Sequence, residues 1–173
     1  MRIETLKPHQ IITLNDYPVY SMEVLRSYVD RCLSGEQLPL VPVIRKAIVR
    51  YHLTPELCRT LASFELRHPS ANYFMLDGSH RTTALTLTGR EIVVIVYEDD
   101  ADIREAGDLV ATGQVLENGT LEYTLAENCA ILNRHFQARP YFMTVRQKTA
   151  QLLRENYIAL PAQTKSPRSP EGS

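Results

Sequence analysis

The stretch that most restricts this chain is "NYFMLDGSHRTTALTLTG", residues 72–89. Its apolar run has the length and composition of a strand and stops at Asp77-Gly78. The segment from Ser79 to Thr88 follows without a gap, carries apolar residues at helical spacing and ends at Gly89. A strand that passes straight into a helix presents the first helical N–H groups at the edge of a sheet. Those donors have no partner within the helix, and the dipole makes the spot mildly positive. Gly78 lets the backbone come close to a ligand because no Cβ intervenes. Ser79 can cap the helix or donate to a phosphate oxygen. His80 is a switchable donor, and Arg81 a fixed, two-pronged one suited to phosphate geometry. Together they read as a phosphate cradle. Asp77 is the odd member, since a carboxylate repels phosphate. It orients His80 or Arg81, or it holds a metal or a substrate hydroxyl.

Around this turn the pattern predicts a small sheet interleaved with helices. "HQIITL", residues 9–14, suits a first strand, and Ser21 suits the cap of a helix from Met22 to Cys32 with Gly35 beyond its end. "LPLVPVIRKAIV" reads as a strand entered through Pro39 and Pro42. Thr54-Pro55-Glu56 is a cap, a proline at the first helical position and an acid in the first turn. That helix should end near His68, before Pro69. "EIVVIVYE" is the strongest strand. After Asp102 the pattern weakens, Asn118-Gly119 fits a hairpin turn, and helices are expected near 125–137 and 145–157. The expected fold is α+β, a small mixed sheet with helices packed on it. Residues 1–100 form the part that carries the cradle, 101–160 a hairpin and helical extension packed on it, and 161–173 a disordered tail.

Composition excludes several classes. With 44% hydrophobic and 23% charged residues in a chain of 173, the protein reads as one ordinary globular domain. No apolar stretch is long enough to span a membrane, and the N-terminus lacks the apolar core of a signal peptide, so the expected compartment is the cytoplasm. Cys32, Cys58 and Cys129 are too far apart for a zinc knuckle and read as buried thiols. A net charge of −1 argues against wholesale nucleic-acid binding, although acids dominate from Glu91 to Glu127 and bases from Arg134 to Arg168. Asp99, Asp100 and Asp102 have the clustered oxygens of a cation site, or serve as solvated helix-cap acids. Arg45 and Lys46 lie late in the proline-led strand, where they could reach the same pocket as Arg81.

The run from "PLVPVIRK" to "NYFMLDGSHRTTALTLTGREIVVIVYE" resembles the ParB/sulfiredoxin superfamily, in which a strand, a G-x-H-R or G-E-R-R turn and a helix bind nucleotide phosphates. The resemblance covers about residues 2–100. It implies that Gly78, Ser79, His80 and Arg81 contact phosphate groups; from its place in the strand, Arg45 is a further candidate contact or a solvated strand end. In sulfiredoxins a nucleophilic cysteine stands where Ser79 does here, so thiol-based sulfinic acid repair is rejected. The turn is most similar to that of the ADP-dependent free serine kinases, DGHHR against DGSHR here. Those enzymes place a base glutamate in a KPHE segment. Lys7-Pro8-His9-Gln10 resembles it, with an amide that cannot take a proton at Gln10. The ParB turn, G-E-R-R, matches only at Gly78 and Arg81.

The resemblance implies a domain that binds a nucleoside di- or triphosphate, ATP or ADP before others, with a magnesium ion as a candidate companion. Asp77 and Gln10 are then the catalytic candidates for phosphoryl transfer to a small hydroxyl-bearing acceptor. The alternative is a non-catalytic, nucleotide-dependent regulatory module. It would bind DNA, RNA or a protein through Arg134, Arg139, Arg146, Lys148 and Arg154, with nucleic acid ranked below the nucleotide as a partner. Whether the chain is an enzyme, and whether it forms a homodimer, stay open at this stage.

Overall fold

The computed structural model describes residues 1–15, 19 and 21–161. The fold is α+β, a five-stranded mixed sheet with helices on both faces. The strands are β1 (Arg2–Leu6), β2 (Ile11–Ile12), β3 (Val41–Arg45), β4 (Tyr73–Met75) and β5 (Ile92–Tyr97), in the spatial order β1-β5-β3-β4-β2. The helices are α1 (Met22–Leu33), α2 (Lys46–Arg50), α3 (Pro55–Arg67), α4 (Ser79–Leu87), α5 (Asp100–Asp108), α6 (Leu125–Ala138) and α7 (Val145–Arg154). β3 is central, parallel to β5 and antiparallel to β4; β1 runs antiparallel to β5, and β2 parallel to β4.

Alternation along the strands explains the layering. Val41, Val43, Tyr73, Met75, Ile92, Val94 and Val96 share one core with residues of α1, α4 and α7. Ile44, Phe74, Ile95 and Tyr97 share the other with residues of α3, α5 and α6. Because both faces are covered, the inner strands read as continuous apolar runs. Residues beyond 100 take part in both cores, through Val145, Leu152 and Ile158 on one face and Ile103, Leu132, Phe136 and Phe142 on the other. The Thr13 N–H also donates to the Met143 carbonyl (3.0 Å), and Ile12 bridges Thr144.

The helix caps follow the sequence. Ser21, Thr54 and Thr144 accept hydrogen bonds from Val24, Leu57 and Gln147. Three expectations need correction. The first strand is Arg2–Leu6; of residues 9–14 only Ile11–Ile12 are extended, after a 3-10 turn at Pro8–Gln10. The proline-led strand stops at Arg45, and Lys46–Arg50 is helical, which brings the Lys46 ammonium within 2.7 Å of Glu65. No hairpin forms at Asn118-Gly119. The Asn118 carboxamide oxygen instead accepts from the Thr120 N–H (3.0 Å) and opens a 3-10 turn over Gly119–Glu122. Of the two readings for the acids at 99–102, the helix-cap one is what forms: Asp99 caps α5 and Asp102 bonds back to the Asp99 N–H. Of the expected tail, 162–173 lies outside the described residues.

Phe74 ties the sheet to the later helices, 5.6 Å from Phe136 and 5.9 Å from Phe142 between ring centres. Phe74→Ala should cost about 3–5 kcal/mol of stability. Chemical denaturation should show one transition for probes placed before and after residue 100. Two transitions would mean that the later residues fold as a separate unit.

Candidate functional site

A cleft of about 670 Å³ opens where β4 passes into α4. Leu76, Asp77, Gly78, Ser79, His80 and Arg81 form one side. Val24 and Tyr28 of α1, with Leu14, add a second. Gly119, Thr120 and Tyr123 and the α6 residues Asn128, Ile131, Leu132 and His135 complete it, with Leu116. The volume suits a nucleotide-sized ligand.

At the turn, Gly78 has φ +114°, and a Cβ there would sit 3.3 Å from Arg81 Nη2 and 3.4 Å from Val41 Cγ2. The positive φ strains any other residue, and a Cβ would press on Arg81 and Val41 by a few tenths of an ångström. Gly78, not Ser79, occupies the cap position of α4, and no side chain caps the helix. Arg81 is buried. Its Nη1 donates to the carbonyls of Pro39 (3.1 Å) and Leu40 (2.7 Å), and its Nη2 to Asp77 Oδ2 (3.0 Å). Burial lowers the Arg81 pKa and the Asp77 carboxylate opposes that shift. Arg81 therefore acts as a strut that ties the turn to the 39–40 segment. Asp77 orients it, one of the roles the sequence left open for this carboxylate. Asp77 is also the only carboxylate among the described residues that line the cleft, and its Oδ1 receives no hydrogen bond from a described residue.

His80 Nε2 accepts from the Ser21 N–H (3.2 Å), which places the neutral ring's proton on Nδ1. Burial lowers the His80 pKa, against the pull of Asp77. From α6, His135 Nε2 lies 3.0 Å from Asn15 Oδ1. The Asn15 amide donates to the carbonyls of Arg139 and Tyr141, so the imidazole must be the donor in this pair.

The cleft brings together Asp77, Gly78, Ser79, His80 and Arg81 but not Gln10 or Arg45. Leu76 bonds back to Pro42, so the turn lies at the start of β3, whereas Arg45 ends that strand. Four residues of extended chain put Arg45 about 13 Å from that point. There its guanidinium reaches Glu4 (2.8 Å), Tyr73 (2.9 Å) and Glu98 (3.1 Å). Gln10 lies at the same far end. Its carbonyl accepts from the Asn72 N–H, and its amide oxygen closes the 3-10 turn by accepting from the Lys7 N–H (2.8 Å).

Other candidates are used structurally. Lys148 leaves the basic face, because it is buried and donates to the Leu14 carbonyl (2.7 Å), while Arg134, Arg139, Arg146 and Arg154 are exposed. Cys32 and Cys129 are buried, Cys58 only half-buried, and burial pushes the Cys129 thiol up to about 11. Among the described residues no cluster of three His, Cys, Asp or Glu side chains is placed to hold a metal ion. None of the described helices is long and apolar enough to cross a membrane.

Residues that sequence reasoning passed over include Asn128, His135 and Thr120. A signal did exist. Asn128, Ile131, Leu132 and His135 stand at i, i+3, i+4 and i+7 of a helix the sequence predicts, two polar residues on an otherwise apolar stripe. Comparison with protein-family models, with curated proteins and with solved structures returned no match.

The Glu4 cluster has a pH signature. The Tyr73 hydroxyl, then Arg45, hold the Glu4 carboxyl below its ordinary value, against the opposing effect of burial. A depressed folded-state pKa gives stability that is present above the unfolded value and lost as pH falls through the folded one. Tyr73→Phe should flatten the rise of stability with pH on the acid side of 4.5, the ordinary value for this carboxyl. Unfolding free energies measured from pH 3 to 6 would show it; an unchanged slope would mean that Tyr73 does not hold Glu4 down.

Proposed function

We propose that the protein binds a nucleoside phosphate in this cleft, with the phosphates at the first turn of α4. The observation that carries the reading is the turn itself. Gly78 supplies a cap position with no side chain, the helix behind it has no side-chain cap, and the cleft beside it has the volume of a nucleotide site. An anion there gains roughly 0.3–1 kcal/mol from the helix dipole and about 1.5–3 kcal/mol per charge-assisted hydrogen bond. The likeness of "DGSHR" to the ParB/sulfiredoxin turn supports the same assignment, and ATP or ADP stands first among the ligands. Ser79 and the backbone N–H groups of the turn grip the phosphates, and the His80 ring lies beside them. Arg81 contributes by holding the turn in shape.

Phosphoryl transfer to a hydroxyl-bearing acceptor is the reaction this site could support. Asp77 is then the group that receives the acceptor's proton, or that holds a magnesium ion together with phosphate oxygens, as a single carboxylate does in many phosphate sites. Gln10 has no part in it, since it lies at the far end of β4. A cytoplasmic setting fits a nucleotide ligand.

Two substitutions separate binding from chemistry. Ser79→Glu places a carboxylate at the start of α4, where the dipole favours it, so the free protein should keep its thermal stability. The same charge should abolish stabilisation by ATP, ADP or CTP, which in the wild type should approach about 2.7 kcal/mol at a hundredfold excess over Kd. No stabilisation of the wild type by any nucleotide would refute the reading. Asp77→Asn keeps an acceptor for Arg81 but removes the base. Nucleotide binding should persist, while turnover with hydroxyl acceptors falls about 10²–10⁴-fold. Undiminished turnover in this variant would remove Asp77 from the chemistry.

A further inference from the structure

We infer that Asn128 reads the base of the bound nucleotide and selects one that carries an exocyclic amino group; this rests on the nucleotide reading of the cleft. Asn128 lines the cleft from α6 and is only 2% exposed. Both hydrogens of its amide are committed. Nδ2 donates to the Thr120 carbonyl (3.1 Å) and to the Thr124 carbonyl (3.0 Å). These two bonds fix the orientation of the carboxamide, so the remaining atom is the oxygen. That oxygen receives no hydrogen bond from any described residue. Thr124 is itself locked, as the cap of α6 with a reciprocal bond to Glu127, and Thr120 is held by Asn118. The result is a rigid, nearly buried acceptor on the wall of the cleft that no described residue bonds.

The surroundings select among ligand groups. Leu116, Ile131 and Leu132 supply apolar surface to the cleft and Tyr123 a ring, which suit a flat heterocycle. A phosphate offers only acceptors and cannot satisfy Asn128. A ribose hydroxyl could donate, but its own lone pairs would then face an apolar wall. An exocyclic amine offers donors alone and complements an oxygen that offers acceptors alone. Adenine and cytosine present such an amine, and hypoxanthine and uracil present a carbonyl in its place. With those bases two acceptors would meet without a proton between them.

The test is a titration of the full chain with two matched pairs, ATP against ITP and CTP against UTP, by calorimetry. Each pair differs in an amino-to-oxo exchange on the base, which also turns the adjacent ring nitrogen from acceptor to donor. A preference for the amino member therefore requires that Asn128 faces the exocyclic position and not the ring N–H. The expected result is that the amino member binds about tenfold or more tightly in each pair. Asn128→Ala should bring the members of each pair to within about twofold of one another. If that variant fails to fold, the wild-type comparison still decides the matter. All four nucleotides binding the wild type alike would overturn this inference and leave the phosphate site standing. A folded Asn128→Ala protein that kept the preference would overturn the assignment to Asn128. Absence of binding by all four would overturn both readings together.

Discussion

A sheet that is apolar on both faces cannot be finished by one layer of helices, and the rest of this structure follows from that. In β3, β4 and β5 successive side chains enter opposite cores, so each face must be shielded from water. α1 and α4 cover one face, and α3 begins to cover the other. The chain beyond residue 100 supplies the remainder, with α5 and α6 on the second face and α7 on the first. The cleft is a by-product of this closure. Its Leu76–Arg81 side comes from the early part of the chain and its α6 side from the late part, so the cleft exists only once both layers are in place.

The buried guanidinium of Arg81 shows how the turn is kept in shape. A charge this well shielded needs partners, and it finds two carbonyls and one carboxylate. The planar fork engages groups from two separate segments at once, which a lysine ammonium would not reproduce. A Cβ at Gly78 would press on the same guanidinium, at Nη2. The residues that looked like independent phosphate ligands are thus interdependent. Arg81 shapes the turn, Asp77 holds Arg81, and Gly78 yields space to both.

Much of this was legible in the chain. The runs at 73–76 and 92–97 gave strands, and Ser21, Thr54 and Thr144 marked helix starts, because apolar continuity and capping are local signals. β1 was missed because "RIETL" is a mostly exposed edge strand whose structure depends on pairing with β5, a long-range contact. Lys46–Arg50 continues an apolar run that fits strand or helix equally, and only the contact with Glu65 distinguishes them. The turn at 77–81 was visible as a unit since its residues are adjacent. Arg45 was grouped with it because sequence does not tell that β4 runs antiparallel to β3, which sets the late end of β3 away from the turn, and Gln10 because the family resemblance implied it. Asn128 was invisible as a ligand contact, because its role depends on carbonyls that only the folded backbone brings to its amide.

The backbone of one residue, Leu40, gives the cleft a mechanical property. The Leu40 carbonyl accepts from Arg81, and the Leu40 N–H donates to the carbonyl of Gln114 at 2.8 Å. Gln114 is followed by Val115 and by Leu116, which lines the cleft. The Asp77–Arg81 turn and the segment that leads to Leu116 are therefore joined through hydrogen bonds to the backbone of one residue. A shift of either segment would break one of these bonds, so the two sides move together.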